Sequence, residues 1–275
     1  MGIKGLIKRI VVFIKRKEIL PVLYPVTTDH EFDGKVALIT GGSGGIGFAI
    51  AKRLSESGCK VIITGTNEGK LNRIKAEFPQ NRVKIFQIDY ADLERFTEKI
   101  EEIEKLFGRI DIFVNSVGVH TENVDFWKIT PDEFDRVINI NLKGAFFACQ
   151  LIGKYMKKNK IKGHILLISS SRGSEPAWSP YGISKWGIKG LTEGLAQMFL
   201  PYGITVNAIA PGSTATELIG VKEGDSIATK ENRVGRYIMP DEVANVAKLL
   251  VSDAGNMIVG ETIHISGGRG IFDIR

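Results

Sequence analysis

Tyr181 and Lys185 stand four residues apart in Tyr181-Gly182-Ile183-Ser184-Lys185, directly after Pro180. Positions i and i+4 share a helix face, so a phenol and an ammonium at this spacing converge on one spot. A free tyrosine, with a pKa of about 10, is a poor base at neutral pH. A cation held beside it favours the phenolate and brings proton exchange with a substrate hydroxyl within reach. An isolated pair of this kind is more often a surface feature than a site. Ser169-Ser170-Ser171 changes the weighting, because these hydroxyls end the preceding strand-like run, where open α/β sheets bind ligands.

A second chemical signal lies near residue 40. Thr40-Gly41-Gly42-Ser43-Gly44-Gly45-Ile46-Gly47 follows a β-branched run and opens a helical one. Glycines allow a tight turn and let backbone N–H groups approach a pyrophosphate, whose charge the helix N-terminus favours. The run fits G-x-G-x-x-G through Gly42, Gly44 and Gly47. It fits T-G-x-x-x-G-x-G through Thr40, Gly41, Gly45 and Gly47. No Gly-Lys-Ser/Thr closes it, so a Walker phosphate loop is excluded.

These residues need a scaffold, and the chain supplies an alternating one. Strand-like runs occur at Lys35–Thr40, Lys60–Thr64, Val83–Ile88, Ile110–Asn115, Gly163–Ser169, Ile204–Ile209 and Glu261–Ile265. Amphipathic stretches lie between them at about Ile46–Ser57, Glu68–Phe78, Leu93–Phe107, Pro131–Lys158, Pro180–Leu200 and Pro240–Val251. Near-continuous apolar strands alternating with helices predict one α/β domain, residues 34–275. Its core is a single doubly wound, Rossmann-type parallel sheet of about seven strands with helices on both faces. Residues 213–239 form a long polar connection of the kind that covers a site, and are read as a lid.

Composition narrows the function. The 275 residues carry a net charge of +6, but residues 1–20 hold six basic side chains against Glu18 alone, so the remainder carries only +1. That balance argues against nucleic-acid binding, which needs many phosphate contacts. Cys59 and Cys149 are too few for a disulfide framework and read as core packing in a reducing compartment. His120 and His164 lack partners at metal-ligand spacing, so no metal is expected. No apolar run approaches the roughly 20 residues a membrane span needs, and a cytoplasmic location follows. Leu6 breaks the myristoylation pattern.

Residues 1–33 precede the first strand as an amphipathic basic segment and a linker. Over residues 3–20, Ile3, Leu6, Ile7, Ile10, Phe13, Ile14 and Leu20 fall within a helical arc of about 140°. Two docking partners remain open for this stripe: the enzyme body or a neighbouring subunit, and peripherally the surface of an anionic membrane.

From about Phe32 to Gly268 the sequence resembles the short-chain dehydrogenase/reductase family. The resemblance implies an NAD(P)-dependent oxidoreductase exchanging hydride between nicotinamide and a carbonyl or secondary alcohol. Tyr181, Lys185, Ser170 and Asn141 match the family's catalytic residues. Tyr181 would protonate the carbonyl oxygen and Ser170 would hydrogen-bond it. Lys185 would bind ribose hydroxyls and lower the tyrosine pKa, and Asn141 would hold a relay water. Ser170 is chosen by its position relative to Ile168 and Gly173. Its eleven-residue separation from Tyr181 implies a shortened loop, and Ser169 and Ser171 stay open because neighbours on a strand face opposite ways.

By the same resemblance, Gly41, Ser43, Gly44, Gly45, Ile46 and Gly47 would cradle the cofactor. Asp89 and Tyr90 would meet the adenine. Asn115 and Gly118 belong to Asn115-Ser116-Val117-Gly118, which departs from the family's Asn-Asn-Ala-Gly at its two middle positions. Pro211, Gly212, Thr214 and Thr216 would orient the nicotinamide. Thr66 and Asn67 end the second strand without the carboxylate of NAD enzymes or the arginine of many NADP enzymes, and favour NADP(H) over NAD(H).

A small-molecule carbonyl or alcohol is the expected substrate. The expected pocket wall combines Arg172, Glu175, Trp178, the His120–Trp127 loop and lid cations Lys222, Lys230, Arg233 and Arg236. A homodimer or homotetramer is expected through the Pro131–Lys158 and Pro180–Leu200 helices, the latter with Ile188, Leu191, Leu195 and Phe199 at helical spacing; the alternative is that these four positions all face the sheet. The rival from another class is a catalytically idle NAD(P)-binding sensor or scaffold, which would most cheaply have lost Tyr181 or Lys185.

Overall fold

The computed structural model describes residues 30–89, 92–122, 125–222 and 225–269. The 3–20 stripe and Tyr90 lie outside these residues. Seven parallel strands form one sheet in the order β3-β2-β1-β4-β5-β6-β7. They are β1 (Val36–Thr40), β2 (Lys60–Gly65), β3 (Val83–Gln87), β4 (Ile112–Asn115), β5 (His164–Ile168), β6 (Thr205–Pro211) and β7 (Thr262–Ile265). The helices are α1 (Gly45–Glu56), α2 (Glu68–Lys75), α3 (Leu93–Lys105), α4 (Pro131–Ile138), α5 (Gly144–Lys158), α6 (Pro180–Phe199) and α7 (Pro240–Leu250). The order reverses between β1 and β4, which opens a crevice at the carboxyl ends of the strands.

Alternation along each strand divides the core in two. Ala37 and Ile39 of β1 point to the face covered by α1 and α7, whereas Val36 and Leu38 point to the face covered by α3, α5 and α6. Central strands are apolar on both sides for this reason, and β1 and β5 are buried throughout. Cys59 and Cys149 are free and fully buried within these clusters, and burial pushes both thiols up to about 12. They are inert packing residues.

Two expectations change. The apolar stripe of α6 faces the sheet: Ile188, Leu195 and Phe199 are buried and Leu191 packs against the same cluster. The large apolar residues exposed on α5 and α6 are Phe146, Phe147, Ile183, Trp186 and Met198. The Pro131–Lys158 helix is also interrupted, because Asn139–Lys143 winds as a π-helical turn between α4 and α5. Such turns insert a residue into the helix and commonly mark functional positions.

The 213–239 connection is mostly irregular. It carries a short 3₁₀ turn at Glu217–Ile219 and two isolated bridges, Thr214 with Ile238 and Ala228 with Arg236. Among the described residues no helix is long and apolar enough to cross a membrane, and no His/Cys/Asp/Glu group could hold a metal ion.

Candidate active site

Pro180 at the first position and Ser179 as cap set the start of α6; the Ser179 Oγ accepts the Gly182 N–H at 3.2 Å. This fixes Tyr181 in the first turn and Lys185 one turn on. The Tyr181 N–H donates to Thr121 Oγ1 at 3.1 Å, tying the helix start to the segment after β4. Lys185 is buried, its Nζ donates to the Ile168 carbonyl at 2.9 Å, and it lies 5.6 Å from the centre of the Tyr181 ring. Enclosure lowers the Lys185 ammonium from 10.5 to about 8.

The three serines separate by partner. Ser169 Oγ donates to the Lys185 carbonyl at 3.2 Å and so ties β5 to α6. Ser170 Oγ accepts the Arg172 N–H at 3.2 Å, and its side chain lies near enough to the Tyr181 phenol to favour the phenolate. Ser171 opens a short 3₁₀ turn, Ser171–Gly173. That turn presses on α6 so closely that a Cβ on Gly173 would lie 2.7 Å from the Lys185 carbonyl oxygen, which only glycine avoids. Of the three, Ser170 is the one brought to the phenol.

Asn141 sits in the π-helical turn and is almost fully buried. Its Oδ1 accepts the Val119 N–H at 2.8 Å, and its Nδ2 donates to the Val119 carbonyl at 2.9 Å and to Ser184 Oγ at 3.2 Å. Gly118 separates this amide from the lysine: a Cβ there would lie 3.5 Å from Lys185 Nζ and 3.6 Å from Asn141 Oδ1. His120, next along, stacks on Tyr181 with ring centres 4.3 Å apart and planes at 25°. Burial and the charges of Lys185 and Arg172 hold its imidazole below the ordinary value, so it is neutral at pH 7.

Tyr181 is governed by opposing effects. Burial raises its phenol, while the Ser170 hydrogen bond and the Arg172 charge lower it. Lys185 is committed to the Ile168 carbonyl, and Arg172 is the cation that opposes burial.

His120, Ser170, Arg172, Tyr181 and Lys185 line one cavity of about 660 Å³ that runs along the crevice. Gly41, Ser43, Gly44, Gly45 and Ile46 line it at the α1 end, with Thr66 and Asp89 beyond β2 and β3. Gly118, Ser170, Tyr181, Lys185, Pro211, Gly212, Thr214 and Thr216 line the other part. The glycines are required by close approach. A Cβ on Gly41, whose φ is +64°, would meet the Ser116 carbonyl oxygen at 2.7 Å, and one on Gly65 would meet Ser43 Oγ at 2.7 Å. A backbone-lined cradle capped by the α1 N-terminus fits a pyrophosphate, and the elongated cavity fits a dinucleotide.

Four expected site residues lie behind this lining, Asn141 among them. Gly47 packs the helix on the turn, since a Cβ there would meet the Gly41 carbonyl oxygen at 2.6 Å. Asn115 Oδ1 accepts from Thr40 Oγ1 at 2.8 Å. Asn67 Oδ1 caps α2 by accepting the Lys70 N–H at 2.8 Å. The 213–239 connection lines the cavity with residues other than those expected. Lys222, Lys230, Arg233 and Arg236 are absent from the wall, and Arg236 pairs with Glu242 at 2.7 Å. Instead the 213–239 connection contributes Ser213, Leu218, Ile219 and Glu231, and Arg269 joins them from beyond β7.

The fold and this crevice define a dinucleotide-binding oxidoreductase, and comparison with known proteins gives the class. The short chain dehydrogenase family model matches residues 35–225. The chain is 37% identical over 243 residues to the 3-oxoacyl-[acyl-carrier-protein] reductase FabG of Rickettsia felis, covering 86% of this chain and 98% of that one. It is 36% identical to the acetoacetyl-CoA reductase of Shinella zoogloeoides, over 86% of this chain and 98% of that protein. The solved structure of ElxO with NADP bound superposes with a TM-score of 0.77 at 32% identity, covering 85% of this chain and 97% of ElxO. The chain belongs to the short-chain dehydrogenase/reductase family, whose members are NAD(P)-dependent oxidoreductases of C=O and CH–OH groups.

Holding Lys185 charged in this enclosure opposes folding. Its folded pKa lies below the unfolded one, so the cost is fully present below about pH 8 and is relieved as pH rises to 10.5. Lys185→Met is therefore expected to be more stable than the parent at pH 7, by up to about 3 kcal/mol. Urea unfolding at pH 7 and pH 10 checks this: the gap between the two proteins should narrow at the higher pH.

Proposed function

We propose that the protein reduces a small-molecule ketone or aldehyde, or oxidises the corresponding alcohol, with Tyr181 as the proton donor or acceptor. The observation that carries this is the half-buried Tyr181 phenol, set beside Ser170 and buried Lys185 in the cavity that the glycine turn also lines.

The nicotinamide cofactor, when bound, supplies or accepts the hydride. The chain's residues do the rest. Ser170 donates a hydrogen bond to the substrate oxygen and holds it against Tyr181. Tyr181 gives its phenolic proton to that oxygen during reduction, and takes it back during oxidation. Its raised pKa keeps the phenol protonated at neutral pH, which suits the reducing direction. Neutral His120 covers one ring face and restricts the phenol to the orientation that meets Ser170. Lys185 holds the ribose hydroxyls, and Asn141 holds a relay water that reprotonates Tyr181. Gly41, Ser43, Gly44, Gly45, Ile46, Thr66, Asp89, Tyr90 and the Pro211–Thr216 segment hold the rest of the dinucleotide, with Gly47 packing α1 on the turn behind them.

The cofactor is NADP(H). Gly65 leaves no carboxylate at the end of β2 to repel a 2′-phosphate, and the Thr66 position lines the cavity. Lys70, one turn into α2, brings a cation near this corner, where it pairs with Glu217 of the lid at 2.6 Å. The relative ElxO was solved with NADP bound.

The protein associates into a dimer or tetramer through α5 and α6, where association would cover exposed Phe146, Phe147, Ile183, Trp186 and Met198. Light scattering at micromolar concentration checks this, and a monomer there contradicts it.

Tyr181→Phe is expected to lower turnover at least about a thousandfold, as loss of an essential acid/base and its hydrogen bond does. NADPH affinity should stay within about threefold, because the phenol is not a principal binding group. Consumption of NADPH with a panel of ketones, and calorimetric titration of the cofactor, measure the two quantities. Retained turnover would remove Tyr181 from the mechanism.

Thr66→Asp is expected to move the NADP/NAD preference towards NAD by about tenfold or more, since a carboxylate there repels the 2′-phosphate. An unchanged ratio of the two dissociation constants would mean that this strand end does not read the ribose.

A further inference from the structure

Charge lines the cavity at three places among the described residues. Asp89 lies near the end of β3 and Lys185 beside the phenol. The third place is a chain of ion pairs drawn from three separate segments. Glu175, between β5 and α6, is shared: its Oε2 accepts Arg172 Nη1 at 2.8 Å and its Oε1 accepts Arg269 Nε at 3.1 Å. Arg269 Nη1 donates to Ser213 Oγ at 3.1 Å and also to Glu231 Oε2. Ser213 donates its hydroxyl proton to that same carboxylate oxygen. Arg172, Ser213, Glu231 and Arg269 all line the cavity that holds Tyr181 and Ser170.

The two carboxylates are not equivalent. Glu175 has a side chain only 14% exposed, each oxygen engages a different arginine, and its backbone carbonyl is held by the Trp186 indole N–H at 2.7 Å. It is fixed. Glu231 is 48% exposed, belongs to the 213–239 connection, and reaches the cluster through a single oxygen. Without Glu231, two arginines and one glutamate remain, a surplus of one positive charge. A guanidinium N–H and a serine hydroxyl then aim at the position its oxygen occupied. One carboxylate restores the balance. The Arg172 charge also acts on Glu231, Tyr181 and His120 alike, so this position and the reacting phenol share one electrostatic neighbourhood.

We propose that Arg269 Nη1 and Ser213 Oγ, backed by Arg172, form the seat for the carboxylate of a keto-acid or hydroxy-acid substrate, and that Glu231 is its intramolecular occupant, exchanged when substrate enters. The assignment rests on Tyr181 acting on a carbonyl, and it adds the substrate class. A charged carboxylate accepts stronger hydrogen bonds from a guanidinium than a neutral ester does, and an ester leaves the surplus cation unpaired. Glu231 also gives selectivity: only a ligand that replaces its charge displaces it without loss.

Levulinate and methyl levulinate, with NADPH as reductant, test the seat in the parent, E231Q and R269Q. The parent should favour the acid over the ester in kcat/KM by about tenfold or more, the factor set by one charge-assisted hydrogen bond. E231Q removes the competing carboxylate and should move the acid-to-ester ratio further towards the acid. R269Q should collapse that ratio towards unity. Equal treatment of acid and ester by the parent overturns the proposal. So does an E231Q variant that raises KM for both alike, because Glu231 is then a strap holding the 213–239 connection and not a placeholder. If neither compound is reduced, the carbonyl-reducing reading is what fails. Calorimetric titration of levulinate into the NADP⁺-loaded parent and R269Q then decides the seat by itself. Saturable binding that R269Q abolishes supports it, and no binding to the parent overturns it.

Discussion

An ammonium enclosed by protein must be hydrogen-bonded or neutralised, and the site is organised around meeting that condition for Lys185. Its proton-rich nitrogen is held by the Ile168 carbonyl at the end of β5, so the strand's last peptide and the first turns of α6 are locked together. Ser169 adds a second tie through the Lys185 carbonyl, and Gly173 lets the intervening turn lie directly on the helix. Ser170 and Tyr181, eleven residues apart in sequence, reach each other because the two segments that carry them are joined at Lys185. The ammonium is kept near the lower edge of its charged range, at about 8. That is the state in which it both donates strong hydrogen bonds and can share a proton with its surroundings.

Around that joint the chain distributes its polar side chains by function. Asn141 and Thr121 hold the 119–121 segment from two sides, which presses neutral His120 flat on the phenol. The phenol is thereby confined in orientation, and its burial favours the protonated form. Farther along the cavity, charge reappears as the Arg172–Glu175–Arg269–Glu231 chain, which links the loop after β5, the segment after β7 and the connection after β6. Binding geometry therefore depends on contacts that close three loops over one crevice, while the sheet beneath them is uniform and apolar.

Much of this was legible in the sequence, for identifiable physical reasons. Parallel strands buried on both faces must be continuously apolar, so β1, β2, β4, β5 and β6 announced themselves, and helical periodicity filled the gaps between them. The glycine run and the Tyr181–Lys185 pair were legible because their chemistry depends on spacing within one turn. Contacts between distant segments were not. Arg269 meets Glu175 across 94 residues and Glu231 across 38, and no local pattern marks any of the three. Which way the α6 stripe faces was not legible, because a helix lying on a sheet and a helix lying on a partner show the same periodicity. The basic residues of 213–239 were placed on the cavity wall by composition, whereas Arg236 finds its carboxylate at the start of α7. Asn67 offered a side chain suited either to a phosphate or to a helix N-terminus, and the helix took it.

The central claim is that Tyr181 is a half-buried acid whose ionisation is set by enclosure against Ser170 and Arg172, and is then adjusted by the bound cofactor. It is tested most directly by titrating that phenol itself, as the difference in phenolate absorbance between the parent and its Tyr181→Phe variant, with and without NADP⁺. The account predicts a midpoint above the ordinary 10.0 in the free protein, because burial outweighs both opposing effects. It predicts a lower midpoint once the cationic nicotinamide ring is bound, since positive charge beside the phenol favours the phenolate. A midpoint at or below the ordinary value in the free protein, unmoved by NADP⁺, would contradict it.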